Sequence, residues 1–176
     1  MMGAQGQQTP VDAERAELLH ALANARGTLR RTVRELTDEQ ARERPTRSAL
    51  CLGGMIKHVT RMERRWARFL AEGDMGTDYS DPQVFAAHEA SFRLTDDETL
   101  ADVLADYARA AEETERVVEA LPNLDVRHPL PPAPWFPEGA SWSARETLLH
   151  VLVETAQHNG HSDILRESLD GRTAAD

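Results

Sequence analysis

Cysteine is almost absent from this chain of 176 residues, since Cys51 is the only one. One thiol cannot form a disulfide within the chain, so we expect a protein of a reducing compartment, the cytoplasm. The first residues have no basic patch followed by an apolar stretch, and no apolar run approaches the length of a membrane span. The sequence therefore predicts a soluble cytoplasmic protein without a signal peptide.

Basic side chains are also in deficit, with 20 lysines and arginines against 30 acidic residues and a net charge of -10 at pH 7. Such a chain has no general affinity for nucleic acid or for anionic membranes. Hydrophobic residues make up 40% of the sequence, which is enough to bury a core. The length suits one domain, so we expect residues 1–176 to form a single domain with flexible ends at 1–8 and 172–176.

Strand-favouring residues are few, and apolar residues recur three and four positions apart in four long segments, as in amphipathic helices. The first segment follows the predicted N-cap Thr9 and reaches Leu36. The other three run from about Ser48 to Glu72, from the capping box Thr95–Glu98 to Leu121, and from Ser143 to about Ser168. Short helices are predicted after Thr37 and at 82–90, and a proline-rich loop at 122–142. This pattern predicts an all-α four-helix bundle with long connections.

The predicted fourth helix carries the most informative side chains: His150, Glu154, His158 and His161. At about 100° per residue, these positions fall within about 80° of one another and form one ridge. Val151, Leu152, Ile164 and Leu165 flank the ridge, so we expect it to point partly inward. Titratable groups on an inward face need hydrogen-bond partners or a metal ion.

The predicted second helix offers a histidine to match this ridge. His58 lies in the row Met55, His58, Met62, within the apolar stripe, where a histidine is unexpected. A single buried histidine is more often a hydrogen-bonded structural residue than a ligand, but a Glu-x-x-x-His ridge on a facing helix favours a metal site. Two neutral imidazoles and one carboxylate form a mononuclear site with open positions, as catalytic Zn, Ni or Fe ions use.

Motifs of several other enzyme classes are missing. The sequence has no His-Glu-x-x-His motif and no paired Glu-x-x-His motifs of di-iron bundles. It also has no Gly-x-Ser-x-Gly nucleophile elbow and no glycine-rich phosphate loop. These absences leave the histidine ridge as the main candidate for chemistry.

The segment Leu148-Leu149-His150, followed by Glu154-Thr155-Ala156-Gln157-His158-Asn159-Gly160-His161-Ser162-Asp163-Ile164-Leu165-Arg166-Glu167, closely resembles the C-terminal motif of the DinB-like superfamily. It looks most like an actinobacterial branch formerly catalogued as a domain of unknown function. His58, within Leu52-Gly53-Gly54-Met55-Ile56-Lys57-His58, matches the superfamily's ligand on the second helix. The resemblance covers nearly the whole chain.

This resemblance implies a four-helix bundle in which His58, Glu154 and His158 hold one divalent metal ion, with zinc preferred and nickel or iron as alternatives. Many members have histidine at the position of Glu154, whereas the mycothiol-dependent maleylpyruvate isomerase relatives resemble this chain in having glutamate. His161 occupies a position where other branches have glutamine, so we assign it an indirect role beside the ligands. His150 is expected to orient the carboxylate of Glu154 or to carry a proton.

The function implied by the resemblance is a metal-dependent S-transferase or isomerase that uses a low-molecular-weight thiol, such as mycothiol, as cosubstrate. The ion would lower the pKa of the thiol, and His150 or His161 would accept the proton, while the electrophile is a small molecule that the sequence does not identify. One alternative is a non-catalytic metal-binding stress or interaction protein, expected as a homodimer through an exposed face. Another is a metal-assisted hydrolase.

Several other residues have two interpretations. Cys51 is either a small buried thiol, the commoner case, or a group that approaches the metal. Trp135, Phe136 and Trp142 either roof the site or plug the end of the bundle. The arginines of the second helix (Arg61, Arg64, Arg65, Arg68) are interpreted as solvated surface, and His20, His88 and His128 as structural or exposed.

Overall fold

The computed structural model describes residues 10–176, with side chains from residue 13 onward. Within this range the chain forms six helices and two short strands. In chain order these are α1 (Pro10–Thr32), α2 (Asp38–Arg42), α3 (Leu52–Glu72), α4 (Pro82–Ser91), α5 (Leu100–Ala120), β1 (Arg127–Pro129), β2 (Ser141–Ser143) and α6 (Ala144–Asp170). The predicted N-cap Thr9 and the flexible end predicted for residues 1–8 lie outside the described residues.

The four long helices α1, α3, α5 and α6 form a bundle, so the predicted all-α fold class is confirmed. Helix α3 packs against both α5 and α6, and α1 packs against α6 and α5. The core consists of large apolar side chains that are almost fully buried, among them Leu22, Leu29, Met55, Ile56, Val59, Phe69, Tyr107 and Val118. Burial of each such side chain stabilises the fold by about 1.5–3 kcal/mol.

A buried arginine links three helices of the bundle. The Arg26 guanidinium on α1 pairs with Glu63 on α3 and, at 2.8 Å, with Glu115 on α5. Because Glu63 is fully buried, its carboxylate would cost several kcal/mol without this partner. The pairing fixes the rotation of α3, and His58, which lies about 140° around the helix from Glu63, faces the opposite side.

The helix starts agree with the sequence where a capping box lies directly before the helix. Thr37 and Gln40 cap α2, and Ser143 and Glu146 cap α6, with both reciprocal hydrogen bonds in each box. Two predicted starts were too early. Helix α3 begins at Leu52, with the Cys51 sulfur accepting a hydrogen bond from the Gly54 amide. Helix α5 begins after Thr99, because the box formed by Thr95 and Glu98 closes a separate turn.

Two glycines at the start of α3 allow another segment of the chain to pass very close to the helix. A Cβ atom on Gly54 would lie 2.0 Å from the Phe92 carbonyl oxygen, and one on Gly53 would lie 2.7 Å from the Leu94 side chain. Two adjacent glycines in a helix, taken by themselves, only lower its stability. The structure shows that this pair brings the end of α4 against α3.

The proline-rich segment before α6 contains a small hairpin that the sequence does not predict. Strand β1 pairs antiparallel with β2, with Arg127 opposite Ser143 and Pro129 opposite Ser141. The prolines between the strands exclude longer pairing, in keeping with the prediction of no helix and no central strand at 122–142. The hairpin leads directly into the first turn of α6.

The C-terminal residues, expected to be flexible, lie against the bundle. The Ala174 carbonyl accepts a hydrogen bond from Arg31 Nε at 2.8 Å, and the Ala174 amide donates to Asp163 at 2.8 Å. Ala174 itself is buried. None of the helices in residues 10–176 combines the length and apolarity needed to cross a membrane.

Candidate active site

A cavity of about 400 Å³ opens between α3, α4, α6 and the proline-rich loop. Its polar lining comes from α3 and α6, the two helices that carry the predicted ligands, and from α4. The lining residues are His58, Met62, Arg65, Trp66, Tyr79, Val84, Phe85, His88, Trp135, Phe136, His150 and Glu154. The volume lies within the range of about 300–1,000 Å³ that small-molecule sites occupy.

His58 is buried at the inner end of this cavity, with 5% of its surface exposed. Its Nδ1 atom lies 3.0 Å from Ser91 Oγ, and the Ser91 hydroxyl donates its only hydrogen to the His88 carbonyl oxygen at 2.5 Å. Ser91 Oγ must therefore accept from Nδ1–H of His58. This hydrogen bond fixes the tautomer and leaves the Nε2 lone pair of His58 free to bind a proton or a cation.

Phe92 holds the His58 ring from one face. The two rings stack with centroids 3.9 Å apart and an interplanar angle of 17°. The close approach at Gly54 brings Phe92 into this position, since the Phe92 carbonyl lies against the α3 backbone there. The orientation of His58 thus depends on two consecutive residues at the end of α4, Ser91 and Phe92.

Glu154 and His158 lie one turn apart on α6, as their spacing predicts, and face His58. The His58 and His158 ring centroids are 4.8 Å apart, and His158 Nε2 is 3.7 Å from Glu154 Oε2. Two donors bound to one tetrahedral zinc ion would be separated by about 3.4 Å, given zinc–ligand distances of about 2.1 Å. His158 Nδ1 is buried and has no hydrogen-bond partner in residues 13–176.

His158 therefore lies beside both His58 and Glu154, but the three predicted ligands do not form a preassembled metal site. In the described part of the chain, no group of three or more His, Cys, Asp or Glu side chains is placed so as to hold a metal ion. The assignment of His58, Glu154 and His158 as ligands stays a prediction.

His150 is half-buried between two tryptophans and lines the cavity. Its ring centroid lies 4.8 Å from that of Trp66 and 5.0 Å from that of Trp142. Burial lowers the pKa of His150, the Glu154 carboxylate opposes this, and Arg65 adds a smaller lowering. The imidazole is therefore neutral at pH 7 and able to accept a proton.

His161 is placed differently from the other ridge residues. Its side chain is exposed and lies outside the cavity lining, although its ring centroid is 5.7 Å from that of His158. Ile164, expected to flank an inward ridge, is 58% exposed. The ridge thus turns toward the surface after His158.

The cavity lining includes two residues to which the sequence analysis gave no role in the site. His88, interpreted as structural or exposed, is exposed on α4, but it also lines the cavity, with its ring centroid 5.1 Å from that of His58. Arg65, interpreted as solvated surface, lines the cavity beside it. The sequence held a signal for Arg65, because residues seven apart lie on the same helix face and Arg65 follows His58 by seven. It held no comparable signal for His88.

A protein-family model matches most of the chain, including every residue of the candidate site. The model of the family described as Mycothiol-S-transferase matches residues 17–171. The chain belongs to the mycothiol-S-transferase family. This family is a member of the DinB-like superfamily, so the resemblance stated from the sequence is confirmed. A search of curated proteins found no match.

Cys51 and the aromatic residues of the proline-rich segment, Trp135, Phe136 and Trp142, also lie within the region matched by the mycothiol-S-transferase family model. Cys51 is buried at the N-cap of α3, where its thiol donates to the Phe92 carbonyl at 3.6 Å, outside the cavity lining. Trp135 and Phe136 line the mouth of the cavity, whereas Trp142 stacks on Trp66 at 5.0 Å. The first two aromatics therefore roof the site, and the third is packed beneath them.

Buried histidines should make the stability of this transferase-family protein depend on pH. Burial, together with His158, His88, Arg65 and Arg61, lowers the pKa of His58 to about 3. An unfolded histidine has a pKa of about 6.5, so the unfolded state binds the extra proton between pH 6.5 and 3. The stabilisation is complete above pH 6.5 and is lost as pH falls.

We expect the free energy of unfolding of chelator-treated protein to fall by about 1.4 kcal/mol per pH unit below pH 6 from His58 alone. Urea unfolding between pH 7.5 and 5 measures this slope. His58→Gln should flatten it, and His20→Gln, which replaces an exposed histidine bonded to Asn24, should not. An unchanged slope in His58→Gln would show that His58 does not cause the loss.

Proposed function

We propose that this protein is a metal-dependent S-transferase that joins the sulfur of mycothiol to a small electrophile in the cavity described above. The observation that carries the proposal is the convergence of three histidines and Glu154 on one aromatic-lined cavity, in a chain of the mycothiol-S-transferase family. The family supplies the thiol, and the cavity supplies space for the second substrate.

His150 is the residue best placed to accept the thiol proton. It is neutral at pH 7, lines the cavity and lies one turn from Glu154, whose carboxylate stabilises the protonated imidazole. The S–H proton passes to His150, and the sulfur electron pair forms a new bond to an electrophilic carbon. The bond from that carbon to its leaving group breaks, and the leaving group departs with its electron pair.

The donor set suits one divalent ion held by His58, Glu154 and His158. His58 keeps a free Nε2 lone pair, and His158 has a buried ring nitrogen without a partner in the described residues, which costs about 1–3 kcal/mol if nothing binds it. A small side-chain rearrangement is required, because the three groups are not preassembled. When bound, zinc, or else nickel or iron, supplies positive charge that stabilises a thiolate.

The test combines metal analysis with a thiol-consumption assay. Purified protein should contain divalent metal, consume mycothiol in the presence of monochlorobimane, and lose this activity when a chelator removes the metal. Glutathione and cysteine serve as thiol controls and should react more slowly. Absence of turnover with all three thiols would contradict the proposal and favour a non-catalytic metal-binding protein.

A further inference from the structure

Arg65 differs from the other arginines of α3 in having no partner among residues 13–176. Arg64 binds the Asp106 carboxylate through two hydrogen bonds, Arg68 pairs with Glu72, and Arg61 donates to the Ala87 carbonyl. Arg65 makes no ion pair within 4.0 Å in the described residues, and its buried Nε has no hydrogen-bond partner there. In a chain with ten more acidic than basic side chains, an unpaired cation facing a cavity points to a ligand.

Part of the cavity wall is aromatic and incompletely covered. Trp135 is 51% exposed and Phe85 is 45% exposed, and both lie at the mouth. The Trp135 ring packs edge-on against Tyr79, with centroids 5.0 Å apart. Such a surface favours a flat, apolar group, which would cover the aromatic rings and be released from water.

The charge inside the cavity also favours an anion. Of the lining residues in the described part, Glu154 is the one carboxylate, and it lies beyond 4.0 Å from every Arg65 nitrogen. The positive charge of Arg65 therefore has no carboxylate partner within 4.0 Å among residues 13–176.

We infer that the electrophile carries a carboxylate, which Arg65 binds through charge-assisted hydrogen bonds while Trp135 and Phe85 cover its aromatic or apolar part. The identification of the bound molecule as the electrophile rests on the proposed transferase function. The binding of a carboxylate by Arg65 does not depend on that function. A guanidinium presents two parallel N–H donors to the two oxygens of a carboxylate. The carboxylate fixes the orientation of the electrophile, and its reactive carbon then faces the thiol.

Binding can be tested without turnover. Isothermal titration with 4-methylbenzoate should show binding to the parent protein, and Arg65→Gln should weaken it by about ten- to a hundredfold. The uncharged 4-methylbenzamide should bind much more weakly to the parent. Arg68→Gln, which removes the same charge from an exposed position one turn away, should bind 4-methylbenzoate as the parent does. Equal affinity in Arg65→Gln and the parent would overturn the inference.

The reaction provides the second test, with 4-(bromomethyl)benzoate and 4-methylbenzyl bromide as matched electrophiles. With either, the mycothiol sulfur forms a C–S bond, the C–Br bond breaks, bromide leaves and the thiol proton passes to the base. The ratio of kcat/KM for the carboxylate to that for the neutral compound should fall about tenfold or more in Arg65→Gln and stay constant in Arg68→Gln.

The two proposals fail in different ways. An equal loss of kcat/KM for both electrophiles in Arg65→Gln would overturn the inference and show that Arg65 acts on the thiol. Absence of turnover with both electrophiles, together with Arg65-dependent binding of 4-methylbenzoate, would contradict the transferase and support the carboxylate site.

Discussion

Replacing Gly54 with alanine is expected to lower the free energy of unfolding by about 3 kcal/mol or more, the largest stability effect that we predict for a single methyl group. The new Cβ would lie 2.0 Å from the Phe92 carbonyl oxygen and 2.2 Å from its carbon. Backbone atoms cannot rotate out of the way as a flexible side chain can, so α3 and the end of α4 must separate. Thermal unfolding should show a melting temperature lower by on the order of 10 °C.

Gly160 provides the matched control for Gly54. It is an exposed glycine inside α6, and a Cβ atom there meets nothing within 4 Å. Gly160→Ala should stabilise the protein by about 0.5–1 kcal/mol, because alanine loses less backbone entropy in a helix. Gly54→Ala should also displace Phe92 from His58 and so weaken the proposed metal binding and the proposed transferase activity. A Gly54→Ala variant with the same melting temperature as the parent would contradict the close contact between Gly54 and Phe92.

The second large effect is expected for His158→Ala. If His158 is a ligand, the variant should retain almost none of the metal, since two remaining ligands do not hold a first-row ion firmly. Its kcat/KM for mycothiol transfer should fall by at least about a hundredfold. Mutation of a residue that only hydrogen-bonds to a metal ligand already lowers metal affinity or activity about ten- to a hundredfold. Elemental analysis after gel filtration, followed by the monochlorobimane assay, measures both quantities.

The control for this prediction is Gln157→Ala, which changes the exposed neighbour of His158 on the same helix. A chelator should lower the melting temperature of the parent and of Gln157→Ala by a few degrees, because an ion bound only by the native state stabilises it by mass action. His158→Ala should show no chelator shift. Full metal content in His158→Ala would remove His158 from the proposed ligand set.

The helices could be predicted because their signals are local. Thr37 with Gln40 and Ser143 with Glu146 begin α2 and α6 where the capping boxes lie in the sequence. The start of α5 was missed because the hydrogen bonds of Thr95 with Glu98 suit an isolated turn as well as a helix. The Lys57 ammonium also binds Glu98 from α3, a contact between residues 41 positions apart that no local pattern reports.

Part of the candidate site could also be predicted from local patterns in the sequence. Glu154 and His158 share a helix face because they are four residues apart, and His58 stands out as a histidine in an apolar stripe. Ser91 and Phe92, which orient His58, lie more than 30 positions away from it along the chain and become its neighbours only through the packing of α4 against α3. His88 enters the cavity through the same contact.

The sequence by itself determined the helical fold, the family and the row of acidic and imidazole groups on α6, because helical periodicity and capping depend on residues a few positions apart. Only the tertiary structure decided which face of each helix the cavity uses. It turned His161 to the surface, placed the exposed His88 beside the cavity and left Arg65 facing the cavity, while Arg64 and Arg68 pair with carboxylates. These placements follow from contacts between distant segments, such as Phe92 against Gly54, whose geometry is set by the packing of the whole bundle.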